Sequence, residues 1–386
     1  MKTSNYSFWL YLLIGCVFTT QTFYAQNYRK LDSIINVAGN EIYVNPDHVI
    51  EVGQTIVKSA GDNVNYKIKG YKLVSDAYSS KRDYEKSLEY LIKASELLDQ
   101  SNDDLLKITI VNKTGIQYHQ LKVYDKAIQH LDQAEQLIAD YPNKDSIHSE
   151  LGKNYIVRGL IYKENLSCAI AIAFIDRGIA QLLKSKDKAD AATKISIAIY
   201  NKGNCYLLLN DNKKALENFQ QSAKLAQEVN AKSLEAFALK GSAKVYALEG
   251  KNSDAINALN KAVELSSEVN DLILNQEIYR GLAENYLAIN EWDKYKINQG
   301  KFIDIQKLIK DRERNSVSES LDVKEVELKI KQEDSSKRFY YLVLLLFVIL
   351  SLGIFFFYVI IKRKRKEVEA IKNQIFVLQN KKAKEV

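Results

Sequence analysis

The sequence predicts an all-α chain: a solenoid of helical hairpins followed by a single transmembrane helix. Three observations predict it. Only 2 of 386 residues are Pro and 15 are Gly, too few for the many turns of a sandwich or barrel. A motif centred on Tyr recurs six times between residues 75 and 302, and self-similarity at a steady period marks a repeat architecture. The 23 residues from Phe339 to Ile361 carry no charge, where about 20 suffice to cross a bilayer core. The charged fraction of 27% argues against wholesale disorder.

The chain opens with one cation, Lys2, and an apolar run from Phe8 to Phe18. That run is too short to span a bilayer and suits the core of a secretory signal. Residues 1–25 read as a signal peptide cut after Ala25, although Phe23 is larger than the usual small residue at that place. The ending Tyr24-Ala25-Gln26 resembles those of secreted proteins of Bacteroidota. Two other readings stay open: an uncleaved anchor, and lipoprotein processing at Cys16, since Leu13-Ile14-Gly15-Cys16 fits a lipobox.

The repeat begins with a small residue, followed three positions later by Tyr. A second small residue lies nine past the Tyr, a larger apolar one four further, and a third small one three beyond. It reads Ser75, Tyr78, Ser87, Leu91, Ala94 in its first copy and Gly115, Tyr118, Ala127, Leu131, Ala134 in its second. The next three copies centre on Tyr162, Tyr206 and Tyr246, and the sixth, on Tyr286, decays into Tyr295, Gln299 and Phe302. Successive Tyr residues are 40, 44, 44, 40 and 40 apart. Small residues at closest approach let two antiparallel helices pack tightly, while the large ones fill the space between pairs. The pattern resembles the tetratricopeptide repeat, with helices longer than in the 34-residue basic unit. Residues 67–302 are read as an extended tetratricopeptide-repeat (TPR) solenoid. Residues 27–66, with Asn45-Pro46-Asp47 ahead of Val49, Gly53 and Ile56, are read as a degenerate capping repeat.

The resemblance implies binding of a protein or peptide on the concave face, lined by the first helix of each pair. Positions six before each Tyr are Lys72, Asn112, Ile156, Tyr200, Lys240 and Arg280. Those two before it are Asp76, Ile116, Leu160, Asn204, Lys244 and Glu284. The candidate peptide groove is therefore Tyr200, Asn204, Lys240, Lys244 and Arg280, a basic group suited to an acidic segment or a C-terminal carboxylate. It is similar to the carboxylate clamps of some family members, with a different residue order. A plain solvated helix face is the competing reading.

Residues 303–338 form a charged juxtamembrane helix, in which Phe302, Ile305 and Ile309 share a coiled-coil register with Val323, Val326 and Ile330. The span 339–361 has Tyr340, Tyr341 and Tyr358 near its ends, where amphipathic rings favour the headgroup layer. Lys362, Arg363, Lys364, Arg365 and Lys366 follow at once and mark the cytoplasmic side. The large domain is thus expected in the periplasm, with the span in the inner membrane. Residues 362–386 form a basic amphipathic helix, whose Val368, Ile371, Ile375 and Leu378 serve either a homodimeric coiled coil or a lipid surface.

The charge divides along the same lines. The tail holds nine cations and three anions, and Lys2 adds one more, so the net +7 is fully accounted for and residues 27–338 are neutral overall. A nucleic-acid footprint is absent from the large domain. The order of segments resembles TPR-containing membrane regulators and sensor kinases of Bacteroidota, but only 25 residues follow the span. A kinase or DNA-binding output is not carried over, and a separate cytoplasmic output protein is expected instead.

No Walker-type loop, G-x-G-x-x-G or G-x-S-x-G is present, and the four histidines do not pair at helical spacing. No enzyme activity, metal or cofactor is expected. Cys168 and Cys205 stay behind if Cys16 leaves with the signal. In an oxidising compartment they are either a disulfide or two buried thiols. The functional reading is a membrane-anchored protein–protein interaction module that signals through the span. A scaffold that passes no signal, or a truncated regulator, is the alternative.

Overall fold

A computed structural model gives the fold and describes residues 30–42, 44–165, 167–267 and 271–382, with no side-chain description at 312–338, 354, 370 and 374–382. The expected signal peptide therefore lies outside the described residues. So do the side chains of Val323, Val326, Ile330, Ile375 and Leu378.

The described residues are helical and contain no strand. The helices are α1 (30–41), α2 (Pro46–Ser59), α3 (Val64–Ser80), α4 (Tyr84–Ser95), α5 (Asp104–Gln120), α6 (Tyr124–Asp140) and α7 (Lys144–Glu164). They continue with α8 (Cys168–Leu182), α9 (Lys188–Leu208), α10 (Asn212–Glu228), α11 (Lys232–Leu248), α12 (Asn252–Ser266), α13 (Leu272–Ala288) and α14 (Trp292–Lys382). The chain divides into two units, Met1–Ile305 and Gln306–Val386. The first is a TPR-like solenoid of helical hairpins, the fold class the sequence predicts.

Within it each hairpin packs on itself and on the next. First helices also touch one another, α5 with α7, α7 with α9, α9 with α11 and α11 with α13. They line the inner side of the curve, and the second helices lie outside. The motif positions form the joints. Ser75, Ser87, Leu91 and Ala94, Ala127, Leu131 and Ala134, and Ala215, Phe219 and Ser222 are all essentially inaccessible.

Every motif Tyr ends its helix in the same way. The Tyr carbonyl accepts a hydrogen bond from the N–H five residues on, at 3.0 Å for Tyr78 and 2.9 Å for Tyr118, Tyr162, Tyr206, Tyr246 and Tyr286. This six-to-one closure needs a left-handed residue just before the donor. Arg82, Lys122, Asn210, Gly250 and Asn290 hold that place, with φ between 54° and 74° across the positive-φ residues. In four of the six the ring itself is capped from the second helix by a Lys eight residues on. The Lys86, Lys126, Lys214 and Lys294 ammoniums lie 5.6, 5.3, 5.4 and 5.4 Å from the centroids of Tyr78, Tyr118, Tyr206 and Tyr286. Such contacts contribute about 0.5–1 kcal/mol each at exposed sites.

Helix α2 starts at Asn45, whose side chain accepts from the His48 N–H, and Pro46 occupies its first turn, where a missing N–H costs nothing. Val49 and Ile56 are buried against Leu31, Ala38 and Val74.

The second unit contains the one helical segment, among the described residues, long and apolar enough to cross a membrane, Phe339–Asn373. Its described apolar side chains are exposed from Phe339 to Ile361. Lys362, Arg363, Lys364, Arg365 and Lys366 follow, also exposed, and Lys364 pairs with Glu367 at 2.8 Å.

One of the tightest joints is Phe219, held between α9 and α11. A Cβ added at Gly203 would lie 2.7 Å from the ring, and one at Gly241 2.6 Å from it. Overpacking of this kind costs about 1–3 kcal/mol, against about 1 kcal/mol gained in helix propensity. Gly241→Ala is expected to destabilise the solenoid by up to about 2 kcal/mol. Thermal or urea unfolding followed by circular dichroism checks this, and an unchanged or raised midpoint would refute the packing account.

Candidate binding face

The inner face has two halves with different electrostatics. In the first half, charges on successive first helices neutralise one another. The Lys72 ammonium lies 3.0 Å from Asp76, and Lys113 of the next hairpin closes on the same carboxylate. Asn112 donates to the Glu150 carbonyl at 2.9 Å and to its carboxylate at 3.0 Å, and Lys153 pairs with Glu150. Lys194 pairs with Asp190 and donates to Ser149 at 3.3 Å.

Burial alone would raise the Asp76 carboxyl, but Lys113 and Lys72 outweigh it and hold it below the usual carboxylate range. Glu150 follows the same logic: burial raises it, and Lys153, Asn112 and Lys113 bring it below its ordinary value. Lys194 is lowered, chiefly by burial and with help from the Lys153 charge, against the pull of Asp190.

Beneath this face a polar thread crosses the middle hairpins. Asn154 donates to Asn112 at 3.2 Å and to the Leu131 carbonyl at 2.8 Å. The Arg158 Nε donates to Asn154 at 2.8 Å, and its far end reaches Asp132 and Glu135 on α6 at 2.7 and 3.0 Å. Tyr155 donates to Glu135 at 2.9 Å. Asn112 and Ile156, placed in the groove set by their distance from Tyr, are buried between hairpins instead. Long first helices turn those positions onto the neighbouring repeat rather than into the groove.

The second half keeps free positive charge. Tyr200 is half-buried, tilted against Phe219 at 5.6 Å and edge-on to Phe237 at 5.9 Å. The Lys240 ammonium lies over both rings, 5.9 Å from Tyr200 and 5.3 Å from Phe237. Lys244 is one turn further on the same helix face and exposed, and Asn204 is half-buried on α9. Neither Lys240 nor Lys244 has a carboxylate partner among the described residues. Arg280 differs, because Glu277 binds it at 2.7 Å and Glu284 lies 3.9 Å away on its own helix. The structure thus joins Tyr200 with Lys240 and neutralises Arg280 locally. Phe237 was missed by sequence reasoning, although it lies three residues before Lys240, within reach on one helix face.

On the other side of α11, a cleft of about 330 Å³ lies between α10 and α12, with Leu239 and Tyr246 in its lining and the Lys261–Glu235 pair at 3.0 Å. Cys168 and Cys205 share a small buried cluster with Ala171 as free thiols. Burial, followed by the hydrogen bond with Cys168, pushes the Cys205 thiol up to about 12. No cluster of three or more His, Cys, Asp or Glu suited to a metal occurs among the described residues.

Residues 195–268 match the tetratricopeptide repeat family. No curated protein shows significant similarity to the chain. Solved structures share the fold. One is a signal-transduction ATPase with numerous domains carrying a tetratricopeptide-repeat sensor, from Pyrococcus horikoshii. It has 16% identity and a TM-score of 0.56, over 74% of this chain and 42% of that one. The protein NprR in complex with its cognate peptide NprX gives 14% identity and a TM-score of 0.52, over 77% and 87%. The apo form of RapI gives 14% and 0.52, over 71% and 76%. These likenesses establish a TPR-type fold.

Two groups of buried titratable side chains set an expected pH profile. Burial holds His119 and His130 below the ordinary imidazole value of 6.5. Their unfolded forms take up protons first, so stability falls as pH drops from about 6.5 towards the lowered values. Asp76 and Glu150 act further down. Their stabilisation is present above the ordinary 3.8 and 4.5 and is lost as pH falls through their lower folded values. Urea midpoints measured from about pH 8 to about pH 3 should decline in these two stages. Asp76→Asn with Glu150→Gln should flatten the second stage, and an unaltered acid limb would contradict the assignment.

Proposed function

We propose that the protein is a membrane-anchored recognition module whose concave face binds an acidic peptide segment or a C-terminal carboxylate of a protein partner. The observation that carries the reading is the contrast between the two halves of the inner face. The first half is self-neutralised, whereas Lys240 and Lys244 project charge with no counter-ion among the described residues. Lys240 is poised on an aromatic platform, and Tyr200 and Asn204 add a ring and a hydrogen-bonding side chain beside it. The solved NprR complex with its peptide supports this use of the fold. The reading is of a binding module without catalysis.

In the same reading the apolar segment 339–361 spans the inner membrane, residues 27–338 lie in the periplasm, and Lys362–Lys366 contact anionic lipid in the cytoplasmic leaflet. Ligand binding is signalled through the span to a separate cytoplasmic protein, with a homodimer formed along the flanking helices. A tethered scaffold that transmits nothing is the second reading.

Replacing both Lys240 and Lys244 by Ala should weaken binding of acidic peptides, selected on an array and measured by fluorescence anisotropy. Each charge-assisted contact is worth roughly tenfold. Affinity equal to wild type would remove the proposed site.

Export carries its own test. A disulfide donor of an oxidising compartment would accept two electrons and two protons from the Cys168 and Cys205 thiols as they join. The folded Cys205 thiol ionises only near 12 and both thiols are buried, so neither is expected to exchange once the hairpins have closed. Non-reducing peptide mass spectrometry of protein taken from cells should find Cys168 and Cys205 as free thiols. A Cys168–Cys205 crosslink would contradict that and place their oxidation before the hairpins close.

A further inference from the structure

Arg82 and Asp271 are 189 residues apart in the chain, yet the Arg82 guanidinium donates to both Asp271 carboxylate oxygens, at 3.3 and 3.1 Å. Arg82 is in the α3–α4 turn of the second hairpin. Asp271 is the N-cap of α13, at the start of the seventh. In a stack of antiparallel hairpins, the turn between the two helices of one pair and the connection between pairs lie at opposite edges. Opposite edges of distant hairpins meet only when the stack has wound through a full turn and risen by about one hairpin's width. The pair therefore joins successive turns of the superhelix.

We infer that the Arg82–Asp271 pair is an inter-turn latch that fixes the pitch of the solenoid and with it the access to the concave face.

Three features support the assignment. Packing elsewhere runs between neighbouring helices or the next hairpin, so the pitch of the solenoid is a sum of small joint angles and is inherently compliant. A contact between the second and seventh hairpins constrains all the joints between them at once. The acceptor is pre-organised, since Asp271 is held by the Ile273 and Leu274 N–H groups at 3.0 and 3.1 Å, and its side chain is only 19% exposed. The donor occupies an unfavourable backbone state, φ 63°, at the place taken by Lys122, Asn210, Gly250 and Asn290 in later hairpins. An Arg there strains its own turn while it reaches the far side of the superhelix.

The consequence for ligand access rests on the concave-face reading above, but the latch itself is tested without ligand. The full chain, reconstituted in detergent micelles with Cys16→Ser, would carry spin labels at Glu89→Cys and Ser267→Cys, both exposed and on the second and sixth hairpins. Cys168 and Cys205 are buried and remain unlabelled. Pulsed dipolar spectroscopy should give a narrow distance distribution at low salt. About 1 M salt, which shortens the screening length to about 3 Å, should enlarge a longer component by about fivefold, the scale of one half-exposed ion pair.

Asp271→Asn keeps the helix cap and loses the charge, and should lengthen the distances in the same way. Arg82→Gly removes the partner while relieving the strained turn. It should lengthen the distances with an equal or higher melting temperature, which separates latch opening from unfolding. Distances indifferent to salt and to both substitutions would overturn the latch. They would leave the peptide-binding reading to its own affinity test.

Discussion

Everything in the solenoid depends on one joint, the approach of a first helix to its partner around the motif Tyr. The small residues at Gly115, Ala127 and Ala134, or at Gly203, Ala215 and Ser222, set how near the two backbones come. The Tyr carbonyl then closes the turn on the N–H five residues later, and a left-handed residue makes that closure possible. The large apolar residue of the second helix, Leu131 or Phe219, is driven into the next pair and so transmits the geometry onward. Each joint buries side chains worth about 1.5–3 kcal/mol apiece, far more than the cation–π contacts that decorate it. Apolar packing therefore sets the shape, and charge is left available for other tasks.

That division of labour shows on the inner face. From α3 to α9 the lysines are matched by Asp76, Glu150 and Asp190, so the face presents polar groups with little net field. Breaking such partly buried pairs would leave uncompensated charge, which makes this half stiff and chemically quiet. From α9 to α11 the pattern changes: Lys240 stands above a ring platform with Lys244 one turn further on, and neither has a counter-ion among the described residues. Two cations one turn apart repel weakly, a cost that an anionic ligand would convert into attraction. Neutrality of the domain as a whole and a local positive patch are thus compatible, since one is a sum and the other a position.

Much of this was legible in the sequence because spacing carries it. The 40- and 44-residue periods, the small residues around each Tyr and the Asn45-Pro46 helix start are local patterns, and the corresponding residues are buried as the pattern demands. The turn chemistry was equally available, in the residue four past each Tyr, but Arg82 and Lys122 disguise a position better served by Gly or Asn. The lysines eight past the Tyr were also readable and were overlooked. Asn112 and Ile156 were misplaced because a fixed offset from Tyr does not say which face a longer helix turns towards its neighbour. The contact between Arg82 and Asp271 has no local signature at all. It arises from small rotations summed over five hairpins, which no pairwise pattern records.

The central claim is that the unneutralised half of the concave face is where a ligand sits. Hydrogen exchange of the full chain, with and without an array-selected acidic peptide, tests it most directly. The account predicts new protection concentrated in α9 and α11 around Tyr200, Asn204, Lys240 and Lys244, with α4, α6 and the outer faces of α10 and α12 unchanged. Protection confined to the outer cleft between α10 and α12, or to the self-neutralised stretch from α3 to α7, would contradict it.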